Sequence, residues 1–265
     1  GTARLTLSAK VQNAALEAMG SRKGTVAVYN YKTGEILCAL TTPTYDPENV
    51  PDIASDTTGA YDGVYLNRFV QSSYVPGSIF KLVTAAAAID NIPDVSSRTF
   101  RCEQQEAING EYITCEEYHG DISFGTGLTK SCNIVFGELA EELGADTMTK
   151  YAEAAGVTSR IKFDGTTTAA GNFDLSNAAG ASLAWSGIGQ YTDLVCPYSM
   201  LRYVAAIANG GSLVSPTLIA GEGGSSERLL DKKTADKIAE MMSYNVSAAY
   251  GEWSFPGLKL AAKSG

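Results

Sequence analysis

One stretch of the chain is apolar on every side, and it constrains the fold more than any other segment. It runs from Tyr74 to Asp90 and reads YVPGSIFKLVTAAAAID. A helix that is apolar all round is buried, so the segment predicts a core helix that begins after a Pro-Gly turn. Ser78 and Lys81 interrupt its apolar surface. Because a lysine is rarely buried without a partner, we expect the Lys81 amine to have either a paired charge or a chemical role.

Length and composition limit the class of protein. The 265 residues suffice for one large domain or two small ones, and 45% hydrophobic with 18% charged residues can bury a core. The net charge of −9 argues against a nucleic-acid-binding surface, which would be basic. No apolar run reaches the ~18 residues of a membrane span. We therefore expect a folded domain with no nucleic-acid partner.

The cysteine and histidine contents bear on metal and catalytic chemistry. Five cysteines occur, and no two of them form a Cys-x-x-Cys pair. His119 is the only histidine. Zinc sites are commonly built from short-range pairs of these residues, so we expect no metal site and no cofactor. A Ser-His-Asp mechanism is excluded unless His119 is its base.

Strand patterns lie at both ends of the chain. Residues 25–31 and 35–40 are β-rich runs joined by a short Lys-Thr-Gly loop, which predicts a β-hairpin. Residues 258–265 alternate as a strand does. The two ends therefore predict an α/β (α+β) fold, with an antiparallel sheet built from both chain ends and flanking helices.

Helical patterns dominate the middle of the chain. Apolar residues recur at helical spacing in NIVFGELAEELG, which Gly144 ends, and the design repeats in DTMTKYAEAAG. We predict a single domain in which residues 91–195 form a mostly helical insertion. Residues 1–90 and 196–265 would supply the sheet and the core helices.

The serine and lysine of the apolar segment, Ser78 and Lys81, are three residues apart, a spacing that allows proton transfer between their side chains. On a helix, residues i and i+3 lie on one face about 5–6 Å apart, so the Lys81 amine can take the proton of Ser78 if burial lowers its pKa. The alternative is a capping serine and a lysine that reaches solvent. The same spacing recurs at Ser159 and Lys162, but that copy lies in no apolar helix and is discounted.

Two further short motifs follow along the chain. Ser131 and Asn133 stand just before an amphipathic helix, where a hydroxyl can relay a proton and an amide can hold a peptide group. The alternative is that Ser131 only caps the helix. Lys263, Ser264 and Gly265 lie on the predicted C-terminal strand. A cation, a hydroxyl and a glycine that admits close backbone approach suit the binding of a substrate carboxylate.

The order Ser-x-x-Lys, Ser-x-Asn, Lys-Ser-Gly belongs to penicillin-binding proteins and class A β-lactamases. The segments YVPGSIFK, KSCN and KSG resemble the three active-site motifs of a penicillin-binding protein's transpeptidase domain. The resemblance extends to residues 24–50, 186–190 and 200–211, and so covers most of the chain. It implies the penicillin-binding/β-lactamase-like fold. The domain alone does not distinguish the monofunctional from the bifunctional class, and we favour the monofunctional class B because nothing in the chain resembles a glycosyltransferase domain.

The resemblance implies a catalytic role for four residues. Ser78 would attack the D-Ala-D-Ala carbonyl of a peptidoglycan stem peptide and form an acyl-enzyme, which the amine of a second stem peptide would resolve. Lys81 would be the base for acylation. Ser131 would relay a proton toward the leaving amine, with Lys263 nearby.

The resemblance also implies the partners and the location. Asn133 would hold the substrate amide, and Ser264 and Gly265 would bind its terminal carboxylate. β-Lactams would acylate the same serine because they mimic the dipeptide. The protein would work outside the cytoplasm, with a membrane anchor that this chain lacks, and with possible partner proteins of cell-wall synthesis.

The sequence departs from the family pattern at Val75, at Cys132 and over residues 192–200, which are an unusual version of their segment. Val75 stands where many relatives have an acidic residue, and Cys132 stands where Asp is common. We expect little catalytic effect from Cys132, since the middle side chain of its motif can point inward. The second oxyanion-hole amide of the family would come from position 266. We therefore expect that residues 1–265 are part of a longer protein, or are completed by a second segment, and that the remainder carries at least one strand and a helix.

Two other functions share the same motifs. A β-lactamase or DD-carboxypeptidase would resolve the acyl-enzyme with water, and a β-lactam sensor would keep it. No convincing extra base for deacylation stands near the motifs, which favours slow hydrolysis. The lifetime of the adduct with penicillin distinguishes these functions.

A second hairpin is predicted over residues 98–118, with one cysteine on each of its strands. Cys102 and Cys115 lie on either side of its tip at Asn109 and Gly110. Their unequal distances from the tip require a loop irregularity to bring them together. A disulfide can persist outside the cytoplasm, and the alternative is two free thiols.

Overall fold

Seven α-helices and ten short strands make up most of the regular structure in residues 2–222 and 224–265, which the computed structural model describes. The helices are α1 (Ala9–Met19), α2 (Lys81–Asn91), α3 (Phe124–Thr129), α4 (Asn133–Ala154), α5 (Ser182–Gly187), α6 (Pro197–Ala208) and α7 (Lys232–Asn245). The strands are β1 (Gly24–Tyr29), β2 (Ile36–Thr42), β3 (Thr99–Cys102), β4 (Gln105–Ile108), β5 (Glu111–Thr114), β6 (Gly120–Ser123), β7 (Lys162–Phe163), β8 (Thr166–Thr167), β9 (Ser212–Val214) and β10 (Ser226–Arg228). None of the helices in these two ranges has the length and hydropathy of a membrane span.

Residues 80–88 of the apolar segment form the buried centre of the fold, as predicted. A turn of 3₁₀ helix over Gly77–Phe80 leads directly into α2, and residues 81–88 of α2 are all buried. The ring of Phe80 stacks on Phe173 with centroids 5.3 Å apart. α2 packs against both α4 and α7, so the start of α2 has a fixed position relative to both helices.

The N-terminal hairpin is also confirmed. β1 and β2 pair antiparallel, with Gly24 opposite Thr42 at one end and Tyr29 opposite Ile36 at the other. Every second residue of β2 is buried, as expected for a strand with one face on a core. The chain turns between the strands through Gly34, whose φ is +85°.

The sheet predicted from both chain ends is not formed, and this part of the fold prediction is wrong. The strands of the described residues occur as five separate two-stranded pairs, and residues 258–265 form no strand. Their backbone bonds to α7 instead: the Ala262 N–H donates to the Met242 carbonyl at 3.0 Å. A groove of about 470 Å³ lies between β1 and residues 261–263.

The region 91–195 contains α3, α4 and α5, and it also carries six of the short strands. β4 and β5 form the predicted hairpin, with Asn109 and Gly110 at positive φ in its tip. β3 pairs with β6 rather than with either of these strands. Gly144 interrupts α4 with a φ of +79°. The helical backbone that begins at Asn133 therefore stops at Gly144, as the sequence predicted.

Thr84→Val tests how α2 is held against α5. The buried Thr84 hydroxyl donates to the Gly187 carbonyl at 2.6 Å. Valine has a similar shape, so the change leaves a buried carbonyl unpaired and is expected to lower the free energy of unfolding by about 1–3 kcal/mol. Urea denaturation measures the loss.

The exposed Thr167 of β8 provides the control for this experiment. Thr167→Val is expected to change the free energy of unfolding by less than about 0.5 kcal/mol. Equal effects of the two substitutions would show that the buried hydrogen bond contributes nothing.

Candidate active site

The hydroxyl of Ser78 meets the amine of Lys81 at the start of α2. The Ser78 Oγ and Lys81 Nζ atoms are 2.9 Å apart. Lys81 is completely buried, whereas Ser78 is partly exposed. The amine therefore does not reach solvent, and the alternative of a solvent-seeking lysine is wrong.

Lys81 also contacts the second motif. Its Nζ lies 2.6 Å from the Ser131 carbonyl oxygen, 2.8 Å from Asn133 Oδ1 and 3.2 Å from Ser131 Oγ. A neutral amine has two N–H donors and one lone pair. The two N–H groups can donate to the Ser131 carbonyl and to Asn133 Oδ1, and the lone pair can accept the proton of the Ser78 hydroxyl. The geometry thus suits an amine that accepts the serine's proton.

The backbone around the second motif turns sharply. Ser131 has a φ of +53°, which is uncommon for a residue other than glycine. Its N–H donates to the Leu128 carbonyl at 3.1 Å, and the next N–H, of Cys132, donates to the Gly127 carbonyl at 2.8 Å. Cys132, not Ser131, is the N-cap of α4. The Ser131 hydroxyl is therefore free to face the lysines instead of capping the helix.

The third motif completes the cluster. Lys263 Nζ donates to Ser131 Oγ at 3.0 Å. Ser264 lies beside the Tyr250 hydroxyl, with 3.1 Å between the two side-chain oxygens. A Cβ on Gly265 would stand 2.8 Å from the Ile79 nitrogen, so only glycine allows the third motif to approach the turn that carries Ser78.

Burial controls the charge of both lysines. It lowers the pKa of Lys81 to about 7, and the positive charge of Lys263 adds to this effect. Burial alone lowers the pKa of Lys263 to about 8. Neither lysine forms an ion pair with a carboxylate within the described ranges. A substantial fraction of Lys81 is therefore neutral near pH 7, whereas most of Lys263 stays protonated.

A cavity of about 360 Å³ opens onto Ser78, Ser131 and Asn133. Trp185 and Gln190 line the same cavity. Gln190 belongs to the segment 186–190 that resembles the family, whereas Trp185 lies in none of the quoted segments. Gly189 precedes Gln190 and packs against the turn that carries Ser78, where a Cβ would lie 2.1 Å from the Gly77 carbonyl. The cavity is the site at which a substrate can reach the serine hydroxyl.

Two positioning residues escaped the sequence analysis. Asn245 is completely buried and donates to the Ala262 carbonyl at 3.0 Å, which fixes the residue before Lys263. Tyr250 accepts a hydrogen bond from the Ser264 N–H at 3.1 Å. Asn245 ends a second Ser-x-Asn copy, at residues 243–245, which is discounted in the sequence because it lies within a surface-helix pattern, and Tyr250 lies in no short motif. Their partners are 14 to 17 residues away in sequence.

The repeated motifs discounted in the sequence lie outside the cluster. Ser159 and Lys162 are both exposed, and neither side chain contacts Ser78. The Lys-Thr-Gly segment at residues 32–34 is a hairpin turn. The two copies of Ser-x-x-Lys share the same residue spacing and differ in their surroundings: Ser78 and Lys81 lie at the start of a buried helix, whereas Ser159 and Lys162 are exposed.

The disulfide considered between Cys102 and Cys115 is not formed, since both cysteines are free. β3 and β5 belong to different strand pairs, so these residues do not face each other across one hairpin. Cys115 Sγ instead lies 3.9 Å from Cys132 Sγ and 3.6 Å from His119 Nδ1. This group lies against the second motif.

Residues 24–265 match the protein family described as penicillin binding protein transpeptidase domain. The chain therefore belongs to the family of penicillin-binding protein transpeptidases. The match covers all three motifs and nearly the whole described fold.

Two curated relatives align with the whole chain. The peptidoglycan D,D-transpeptidase PbpA of Mycobacterium tuberculosis is 26% identical over 302 residues, which cover 100% of this chain and 60% of that protein. The probable peptidoglycan D,D-transpeptidase FtsI of Caulobacter vibrioides is 28% identical over 286 residues, which cover 100% of this chain and 46% of that protein. The chain spans about half the length of these relatives.

Solved structures share the fold. The D,D-transpeptidase domain of a peptidoglycan glycosyltransferase from Eggerthella lenta superposes with a TM-score of 0.85 at 27% identity, over 99% of this chain and 70% of that one. A ceftriaxone acyl-enzyme complex of penicillin-binding protein A from M. tuberculosis superposes with a TM-score of 0.84 at 24% identity. The superposition covers 99% of this chain and 66% of that one. The described residues therefore have the penicillin-binding protein transpeptidase fold.

Lys81→Met tests whether the buried amine is charged. Between about pH 7 and pH 10.5 the unfolded chain holds a proton on Lys81 that the folded protein has lost. The free energy of unfolding therefore rises with pH across this window, by at most about 1.4 kcal/mol for each pH unit. The methionine variant lacks the part of this rise that Lys81 contributes, and urea denaturation at several pH values measures the difference.

Lys10→Met is the control, because Lys10 is exposed on α1. Its stability difference from the unsubstituted protein is expected to stay constant over the same pH range. A constant difference for Lys81→Met as well would mean that the Lys81 pKa is not lowered in the folded state.

Proposed function

We propose that this chain is the D,D-transpeptidase domain of a class B penicillin-binding protein, which cross-links peptidoglycan stem peptides outside the cytoplasm. One observation carries the proposal. The side chains of Ser78, Lys81, Ser131 and Lys263 form a continuous chain, with successive distances of 2.9, 3.2 and 3.0 Å. Such a chain can activate a serine and move its proton without any histidine.

Acylation begins with the serine. Ser78 Oγ attacks the carbonyl carbon of the penultimate D-Ala while its proton passes to Lys81 Nζ, which lies 2.9 Å away. A C–O bond forms and the carbonyl oxygen becomes an oxyanion. The backbone N–H of Ser78 is one donor to that oxygen. The lowered pKa of Lys81 makes a neutral base available near pH 7.

The proton then moves to the leaving group. The C–N bond breaks as the nitrogen of the terminal D-Ala takes a proton from the Ser131 hydroxyl. Lys81, now an ammonium 3.2 Å from Ser131 Oγ, returns a proton to that oxygen. The Lys263 ammonium donates to the same oxygen at 3.0 Å and stabilises negative charge on it during the transfer. Lys81 ends the step neutral, and Ser78 carries the acyl group.

The remaining motif residues bind substrate. Asn133 uses Oδ1 for Lys81 and one N–H of Nδ2 for the Thr114 carbonyl at 2.9 Å. Its second Nδ2 N–H is left for a carbonyl of the stem peptide. Ser264 and Gly265 take the terminal carboxylate, with Lys263 supplying the nearest positive charge.

The acyl-enzyme is resolved by the amine of a second stem peptide. The amine nitrogen forms a C–N bond, the ester C–O bond breaks, and Ser78 regains a proton through Lys81. Lys81 is the only hydrogen-bond partner of Ser78 Oγ within the described ranges, and no carboxylate contacts that oxygen. This favours transpeptidation over a β-lactamase, which needs a base to activate water.

β-Lactams are the inhibitors that this chemistry implies. Penicillin-binding protein A of M. tuberculosis forms acyl-enzymes with ceftriaxone and with imipenem, and we infer the same reaction at Ser78. Residues 1–265 act in it as one transpeptidase domain. Proteins of cell-wall synthesis are the expected partners.

Reaction with penicillin tests the assignment. Intact-protein mass measurement is expected to show one penicilloyl group, which peptide mapping places on Ser78 and which Ser78→Ala abolishes. Lys81→Ala is expected to slow the reaction by about 10²–10⁴-fold, the usual effect of losing a general base. Circular dichroism shows whether this variant is folded.

The second Ser-x-x-Lys copy supplies matched controls. Ser159→Ala and Lys162→Ala are expected to leave the acylation rate unchanged. An adduct on Ser159, or full acylation of Ser78→Ala, would refute the proposal. The lifetime of the adduct decides the reaction class: a long-lived adduct agrees with a transpeptidase, and rapid recovery of the free protein would identify a β-lactamase.

A further inference from the structure

Three of the five cysteines and the only histidine meet beside the second motif. Their potential ligand atoms all lie within 4.8 Å of one another. We call this group the Cys₃His cluster; its members are Cys102, Cys115, His119 and Cys132. The other two cysteines, Cys38 and Cys196, are buried elsewhere, on β2 and just before α6.

The spacing of the cluster fits a tetrahedral zinc ion. With Zn–S bonds of about 2.3 Å and Zn–N bonds of about 2.0–2.1 Å, two sulfur ligands lie about 3.8 Å apart, and a sulfur and a nitrogen about 3.5 Å apart. Cys115 Sγ lies 3.9 Å from Cys132 Sγ and 3.6 Å from His119 Nδ1. These side chains therefore need little movement to surround one ion.

We propose that the Cys₃His cluster binds one zinc ion through three thiolates and one imidazole nitrogen. Four protein ligands of this composition are typical of structural zinc sites, which leave no position open for catalysis. Binding releases three thiol protons to solvent and forms three Zn–S bonds and one Zn–N bond. No electron is transferred, and the centre has a net charge of −1.

The zinc fastens the strand region to the active site. Cys102 ends β3, Cys115 follows β5 and His119 precedes β6. Cys132 is the middle residue of the second motif, between Ser131 and Asn133. The ion therefore joins three segments of the region 99–123 to the two motif residues that hold Lys81.

Two contacts connect the cluster with the motif. The backbone N–H of Asn133 donates to Cys115 Sγ at 3.4 Å, a hydrogen bond of the kind that orients a metal ligand from outside the coordination shell. The Lys81 amine contacts Ser131 and Asn133 on either side of Cys132. The negative centre thus lies next to a lysine that has no carboxylate partner within the described ranges.

Metal analysis of the intact protein tests the site. After chelation and reconstitution with one equivalent of Zn²⁺, we expect about one zinc per chain. Cobalt in place of zinc is expected to give the strong visible absorption of a tetrahedral ion together with sulfur-to-cobalt charge-transfer bands. Less than about a tenth of an equivalent of bound zinc, or the weak absorption of octahedral cobalt, would overturn the proposal.

Substitutions assign the metal to the cluster. Cys102→Ser and Cys115→Ser are expected to lower the bound zinc at least tenfold, whereas Cys38→Ser and Cys196→Ser retain it. Equal zinc contents in all four variants would overturn the assignment. The two control cysteines are as buried as the cluster cysteines, so a general effect of replacing a buried thiol would appear in both sets.

A measurement on the unsubstituted protein does not depend on whether the variants fold. A zinc chelator is expected to speed alkylation of Cys102, Cys115 and Cys132 at least tenfold, while Cys38 and Cys196 react at an unchanged rate. Alkylation of the cluster that is insensitive to the chelator would overturn the site. Acylation of Ser78 by penicillin, followed in the same samples, tests the proposed function separately.

Discussion

The rest of the active site depends on one buried amine. Lys81 brings its nitrogen into an apolar helix start, where it contacts the Ser78 hydroxyl, the Ser131 carbonyl and the Asn133 amide oxygen. Taking an ammonium out of water is costly, so the fold favours the neutral form. Burial lowers the pKa of Lys81 and so makes it a base. Because the buried amine cannot bond to water, its hydrogen-bond partners must come from Ser78, Ser131 and Asn133. The amine thereby aligns the first motif with the second.

Much of this arrangement could be predicted from the sequence. The apolar surroundings of Ser78 and Lys81 indicated a buried helix, and their spacing indicated contact. The order of the three motifs then gave the family. The strand predicted at residues 258–265 is wrong because alternation describes only the side chains. It does not reveal where the backbone N–H and C=O groups form hydrogen bonds. Here the N–H of Ala262 donates to the carbonyl of Met242 on α7.

Long-range contacts account for what sequence patterns missed. Asn245 and Tyr250 position the third motif from α7 and the turn after it, and neither residue type is diagnostic alone. The sequence predicted no metal site because no two cysteines form a Cys-x-x-Cys pair: twelve residues separate Cys102 from Cys115, and sixteen separate Cys115 from Cys132. Only the pairing of β3 with β6, and of β4 with β5, brings them together.

The most direct test of the account is the titration of the Lys81 side chain itself. Nitrogen or carbon NMR of labelled lysine, assigned with Lys81→Met, gives its pKa in the folded protein. The account predicts a midpoint near pH 7, and a higher midpoint in Lys263→Met, because the neighbouring positive charge is removed. A midpoint near the ordinary value of 10.5 would contradict the account, since Lys81 would then be an ammonium at neutral pH and could not take the proton of Ser78.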